Sequence, residues 1–366
     1  MTTKLKITTF VAAGAIALGT MVTAKAKAED LTVVSWGGAY TKSQVEAYHK
    51  PFTKKTGINI LSENYSGGLA EIKAQVEAGS VKWDVVDVEL SDAVRGCDEG
   101  LLERIDPSIL PPAPDGTPAT KDFVSGAISD CAVANIVWST IYAYDKTKFP
   151  KAGPKTIADF FDVKKFPGKR GMRKSPKVNL EFALMADGVP QNKVYEMLGT
   201  PAGIDRAFKK LDTIKDSVVW WEAGAQPPQL LADGEVSMTT AYNGRIFNAI
   251  ATEKKPFDIV WDGQVYDFDL FVVVKGAPHK KTAMDFIAFS TGTQPLAEQA
   301  KWISYGPARK SSAPLIGKNH DGTVEMGPQM PTAPANFKTA LQNDFEFWAD
   351  HADELNNRFN SWLASN

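Results

Sequence analysis

Cysteine and histidine are scarce in this 366-residue chain, which has two of the first and four of the second. No CxxC, HxxxH or HExxH spacing joins Cys97, Cys131, His49, His279, His320 and His351, so the usual metal-ligand sets are missing and no metal is expected. GxSxG and GxxxxGK[ST] are missing too, which removes the serine-elbow hydrolases and the phosphate-cradling loop, and no cofactor motif remains. There is no basic tract: 41 basic residues against 43 acidic leave a net charge of −2. Nucleic acid and anionic membrane surfaces are therefore excluded as partners. No short sequence period recurs, so a solenoid is excluded as well.

The one long apolar run lies at the start, Ile7 to Val22, preceded by Lys4 and Lys6 and followed by Ala24-Lys25-Ala26-Lys27-Ala28. It is short of the ~20 residues a spanning helix needs and reads as a secretory signal peptide over residues 1–28. Its loss would remove four lysines and no acid, taking the net charge from −2 to −6. The mature protein is expected to be exported and periplasmic, where an even cysteine pair tends to close, so Cys97–Cys131 is expected as a disulfide. Two buried free thiols are the alternative.

The length implies two domains. Leu31 to Ser35 reads as a strand, Gly37-Gly38 as a turn, and the following residues as a helix, with Thr41 and Gln44 as a capping box and Gly57 as its stop. Ile58–Leu61 and Trp83–Val88 read as strands around a helix over Leu69–Ala78. The later strands are Ala134–Ala143, Val218–Trp221, Val236–Tyr242 and Phe268–Val274, with helices over Ile157–Phe161, Ile204–Ile214, Gln229–Asp233, Arg245–Ala251 and Asn336–Leu363. Such alternation predicts parallel sheets flanked by helices, with binding residues such as Trp36 and Glu89 beyond the strand ends.

Aromatic residues recur where strands run out, each with an acid near it in sequence: Trp36 and Tyr40, Trp221 before Glu222, Tyr242, and Tyr266-Asp267-Phe268-Asp269. Aromatic faces attract ammonium groups by about 0.5–2 kcal/mol each, and carboxylates fix the charge, so this lining suits an organic cation. The same acids leave open a secreted hydrolase working through Glu181 and Asp269. Tyr242 and Tyr305 leave open an iron or anion receptor.

SWGGAY, WDVVDVE, FPGKR followed by NLEFAL, GEVSMTTAYNG, VYDFDLFVVVKGAP and SYGPA, in this order, resemble the spermidine/putrescine-binding periplasmic proteins of ABC importers. The resemblance implies a two-lobed type II periplasmic-binding-protein fold, each lobe a mainly parallel sheet flanked by helices, with the ligand cleft between. The lobes would comprise 29–139 with 270–308 and 140–269 with 309–366. It further implies a monomer that captures a small amine-bearing solute, most simply a polyamine, and delivers it to a membrane permease and its ATPase. Trp36, Tyr40, Glu181, Tyr242, Asp269 and Tyr305 match the family's cleft positions. Two departures weaken the polyamine expectation: Tyr242 and Asp267 stand where polyamine binders have tryptophan, and Arg245 follows closely. A zwitterion such as 4-aminobutyrate, or a betaine-like onium compound, is the alternative ligand, with Arg245 and the helix amides after Gly37-Gly38 facing its carboxylate.

Overall fold

The computed structural model describes residues 1–2 and 30–365. The expected signal peptide lies outside the described residues, apart from its first two. Eight principal strands are β1 (Asp30–Ser35), β2 (Asn59–Asn64), β3 (Val85–Glu89), β4 (Ala132–Asp145), β5 (Arg170–Arg173), β6 (Val218–Trp221), β7 (Met238–Tyr242) and β8 (Phe257–Val273). They form one curled sheet in the order β2-β1-β3-β8-β4-β7-β5-β6. Two short strands join it, Leu341–Gln342 beside β8 and Gly306–Pro307 beside β4.

Each outer trio is parallel, β2-β1-β3 at one end and β7-β5-β6 at the other, as the strand–helix alternation predicts. The middle differs. β4 and β8 are 14 and 17 residues long and run antiparallel to each other, β8 also to β3 and β4 also to β7. One strand leaves the first trio for the second and the other returns, which forces opposite directions. Register shifts in the β4–β8 ladder, at Ala134/Ile136 and Thr140/Tyr142, bend the sheet where it passes from one trio to the other.

Two large apolar clusters flank the sheet. One gathers Leu31, Val33, Tyr48, Phe52, Val86, Phe271 and Phe286; the other gathers Phe160, Met172, Leu180, Phe182, Phe208, Trp348 and Phe359. Fully burying such a side chain contributes about 1.5–3 kcal/mol, so each cluster is a core in its own right. Buried Arg309 pairs with Asp122 at 3.0 Å and donates to the Thr291 carbonyl, which fixes the start of the 310–315 segment against the β1–β3 side.

Several local expectations change. The helix after β1 starts at Gly38, earlier than the capping box requires, with Gly37 at φ 72 as its cap. The Thr41 hydroxyl accepts the Gly37 N–H at 2.8 Å, and Gln44 donates to Asp87 at 2.5 Å rather than reaching back to the helix start. A π-helical turn at Val45–His49 precedes Pro51, whose missing N–H cannot complete the regular ladder. The final helix spans Phe345–Ala364, because Leu341–Gln342 pairs with β8 and Asp344 then caps the Phe347 N–H.

Cys97 and Cys131 are bonded, which settles the choice against free thiols and ties the Leu90–Asp98 helix to the start of β4. The bridge spans 34 residues of sequence, so replacing both cysteines by serine should lower the unfolding free energy by about 2–4 kcal/mol in denaturant titrations. An unchanged midpoint would show that the bridge does not constrain the unfolded chain.

Candidate functional site

The carboxyl ends of the parallel strands meet at one seam. β1 is followed by Trp36, β3 ends at Glu89 and β7 ends at Tyr242, while β8 sets Asp269 opposite Glu89. The helices that follow β1 and β7 add Tyr40 and Arg245, β4 adds Trp138, and Tyr305 closes the group. These eight residues line one closely packed cavity. A second chamber shares Glu89, Trp138 and Tyr242 with it and adds Arg173, Lys177 and Trp221.

The walls are aromatic and edge-packed. Tyr40 meets Tyr305 at 5.3 Å between ring centres, Trp138 meets Tyr242 at 5.0 Å, and Trp221 backs Tyr242 at 5.7 Å. Glycine makes this crowding possible: a Cβ on Gly67 would lie 2.5 Å from the Trp36 ring, and one on Gly224 would lie 2.7 Å from Arg245 Nε. The Arg245 guanidinium donates to the Trp36 and Gly37 carbonyls at 3.0 and 2.9 Å, joining the helix after β7 to the turn after β1.

Four acids of β3 and β8, Asp87, Glu89, Asp267 and Asp269, are buried near this seam. Burial pushes Asp87 up to about 7, against hydrogen bonds from Gln44, Asn135 and Ser35. Asp269 is driven well above the usual carboxylate range, first by burial and then by the charges of Asp87, Glu89 and Asp267. Asp267 is pushed up to about 7 by burial, which Lys177 opposes. Glu89 goes the other way: burial disfavours its charge, but Lys177 at 2.7 Å and Arg173 at 3.4 Å outweigh that and hold it below normal. Asp269 Oδ1 and Arg245 Nε are both buried without a hydrogen-bond partner, and both belong to residues of the same cavity. Buried polar groups in folded proteins are rarely left unpaired, and the Trp36 and Trp138 indole N–H groups of the same cavity are without a partner as well.

The pattern described as bacterial extracellular solute-binding protein matches residues 47–332. The gamma-aminobutyric acid-binding protein of Pseudomonas aeruginosa is 48% identical over 341 residues, 93% of either chain. This chain belongs to the bacterial extracellular solute-binding proteins. The putrescine-binding periplasmic protein PotF of Escherichia coli K12 is 23% identical over 83% of this chain and 84% of its own. The crystal structure of the PBP MotA from A. tumefaciens B6, in complex with glucopine, has a TM-score of 0.83 at 34% identity, covering 91% of this chain and 99% of that one. The two-lobed binding-protein fold follows, and with it a small-molecule ligand, the permease of an ABC importer as partner, an extracytoplasmic place of work, and a role that is not enzymatic.

In this solute-binding protein Trp36, Tyr40, Glu89, Tyr242, Arg245, Asp269 and Tyr305 converge on one cavity. Trp221 stands one layer back, and Asp267 faces Lys177 at 3.5 Å. Glu181 stands apart. It is fully buried, and one of its oxygens accepts from the Tyr195 hydroxyl at 3.0 Å and the Trp348 indole at 2.7 Å. The hydrolase alternative needed Glu181 and Asp269 to share a site, and they do not. The iron alternative rested on Tyr242 and Tyr305, which lie in the aromatic wall of the cavity against Trp138 and Tyr40.

Sequence reasoning missed Trp138, Asp87, Arg173 and Lys177. Trp138 is hidden in an apolar run that reads as core, Asp87 lies inside a valine-rich strand, and the two cations read as solvated charges after a turn. The only usable signal was Asp87 itself, an acid flanked by valines in Val85-Val86-Asp87-Val88.

Asp267, whose folded pKa of about 7 exceeds the unfolded value of 3.8, binds its proton more tightly in the folded state. Its contribution to stability is therefore complete below about pH 4 and is lost as pH rises towards 7. His49, lowered to about 4 by burial, gives an opposite slope below pH 6.5, so the measurement is a difference. Ligand-free wild type should lose unfolding free energy relative to Asp267→Asn between about pH 5 and 7.5. A difference that stays constant over that window would mean the carboxyl ionises normally in its burial site.

Proposed function

We propose that this protein captures a small zwitterion, an ω-amino acid of the 4-aminobutyrate type, in the cavity between its lobes and presents it to the permease and ATPase of an ABC importer. The observation that carries the reading is the pair of unpartnered groups, Asp269 Oδ1 and Arg245 Nε, in one aromatic-walled cavity. An ammonium end would satisfy Asp269, with Glu89 and Asp87 adding negative potential. A carboxylate end would satisfy Arg245, and Trp36, Tyr40, Trp138, Tyr242 and Tyr305 would hold the methylene chain and the ammonium face.

This replaces the polyamine expectation. A second ammonium would sit against Arg245 rather than against an acid, and the relative at 48% identity carries gamma-aminobutyric acid in its name. An onium compound fits less well, because a quaternary nitrogen has no N–H with which to satisfy a lone carboxylate oxygen.

The lobes of this reading divide within β4 and β8, residues 29–139 with 270–308 on one side and 140–269 with the later chain on the other. The 310–315 segment is assigned to the first lobe, because Arg309 and its neighbours bond to residues 122, 291 and 293. The mature chain would begin after residue 28 and work in the periplasm as a monomer.

Titration calorimetry on the mature chain should show 4-aminobutyrate binding, with betaine much weaker and putrescine and spermidine weaker still. Arg245→Leu and Asp269→Asn should each weaken 4-aminobutyrate by roughly 30-fold or more, the usual effect of stripping one partner from a buried charged pair. Heat from the polyamines alone would overturn the assignment.

A further inference from the structure

One cation of the cleft is left unused by that reading. Lys177 belongs to the turn after β5, and its Nζ lies 2.7 Å from Glu89 Oε2, 2.9 Å from Ser91 Oγ and 3.5 Å from Asp267 Oδ2. Its side chain is 12% exposed. Two carboxylates and a hydroxyl around one ammonium are the surroundings a free alkylammonium would select. The turn is built to hold this position: Asn179 Nδ2 donates to the Arg173 and Ser175 carbonyls at 2.7 and 2.8 Å, and Val178 is held at φ 71, a strained conformation for a β-branched residue. The chamber that Lys177 lines shares Glu89, Trp138 and Tyr242 with the ligand cavity.

We propose that Lys177 is a specificity-determining residue: its tethered ammonium occupies the place that the distal ammonium of a linear diamine would take. The inference rests on the zwitterion reading of the adjoining cavity. Lys177 and Arg173 are set against Glu89, and Lys177 also lies 3.5 Å from Asp267, so of the two acids lining the ligand cavity Asp269 is the one without a cation. A diamine whose second charge turned away from Arg245, towards Glu89 and Asp267, would meet Lys177 there, and like charges in a desolvated cleft repel strongly. Removing Lys177 frees Glu89, Ser91 and Asp267 as a ready second ammonium site.

The test is calorimetry with putrescine and with 4-aminobutyrate on wild type, Lys177→Ala and the milder Lys177→Gln, which keeps a donor for Glu89 and Ser91. Putrescine should bind Lys177→Ala on the order of 100-fold more tightly than wild type, and the gain should vanish in Lys177→Ala/Glu89→Gln. Lys177→Gln should show the same gain and serves if the alanine variant does not fold. Folded variants with no gain in putrescine affinity would overturn the proposal, and so would failure of both to fold, which would make Lys177 a structural counter-ion. The zwitterion reading is scored separately, by 4-aminobutyrate on wild type, so a failure there leaves the putrescine comparison readable.

Discussion

Charge balance in a dry cleft is the constraint from which the other features follow. β3 and β8 place Asp87, Glu89, Asp267 and Asp269 close together and away from water. Isolated carboxylates in such a place would neutralise themselves by taking up protons, and Asp87 and Asp267 are indeed driven up to about 7. Glu89 alone stays readily ionised, because Lys177 and Arg173 reach it from the other side of the seam. The acids that lack a cation are those best placed to attract one from outside.

The aromatic rings give this charge pattern its selectivity. They bring no cation to Asp269, and they exclude water and present electron-rich faces to an ammonium group. Their close packing depends on glycine at positions 67 and 224, where any Cβ would strike Trp36 or Arg245. At Gly67 the constraint is double, since its φ of +91 disfavours other residues as well.

Much of the frame was legible in the sequence. The short valine-rich strands and the glycine turn after β1 follow from local propensity and periodicity, and Trp36 and Tyr242 could be placed at strand ends because parallel strands end on one side, whereas Asp269 lies inside the longer antiparallel β8. The antiparallel β4–β8 centre was not legible, since its pairing joins residues such as Ala143 and Ile259 that no local pattern connects. Glu181 misled for a similar reason. An acid opening an apolar helix looks the same in sequence whether it faces a guest or, as here, has one oxygen held by Tyr195 and Trp348 and the other buried without a partner. Lys177 shows the reverse: a lysine in a polar turn gives no sign that folding will bury it against two acids.

The contacts across the seam also explain why a guest should matter to closure. Glu89 with Arg173 and Lys177, and Arg245 with the Trp36 and Gly37 carbonyls, bring the two sides together without help. Each of these pairs must first shed water, which cancels much of its Coulomb gain, so they position the halves more than they stabilise the closed arrangement. Closure without a guest also leaves Asp269 Oδ1 and Arg245 Nε buried and unpaired, at a cost of about 1–3 kcal/mol for each such group. A ligand that satisfies both removes that penalty only in the closed arrangement, where both groups line one cavity. Its binding energy is thereby coupled to closure, the form in which a receptor can signal to a permease that it is loaded.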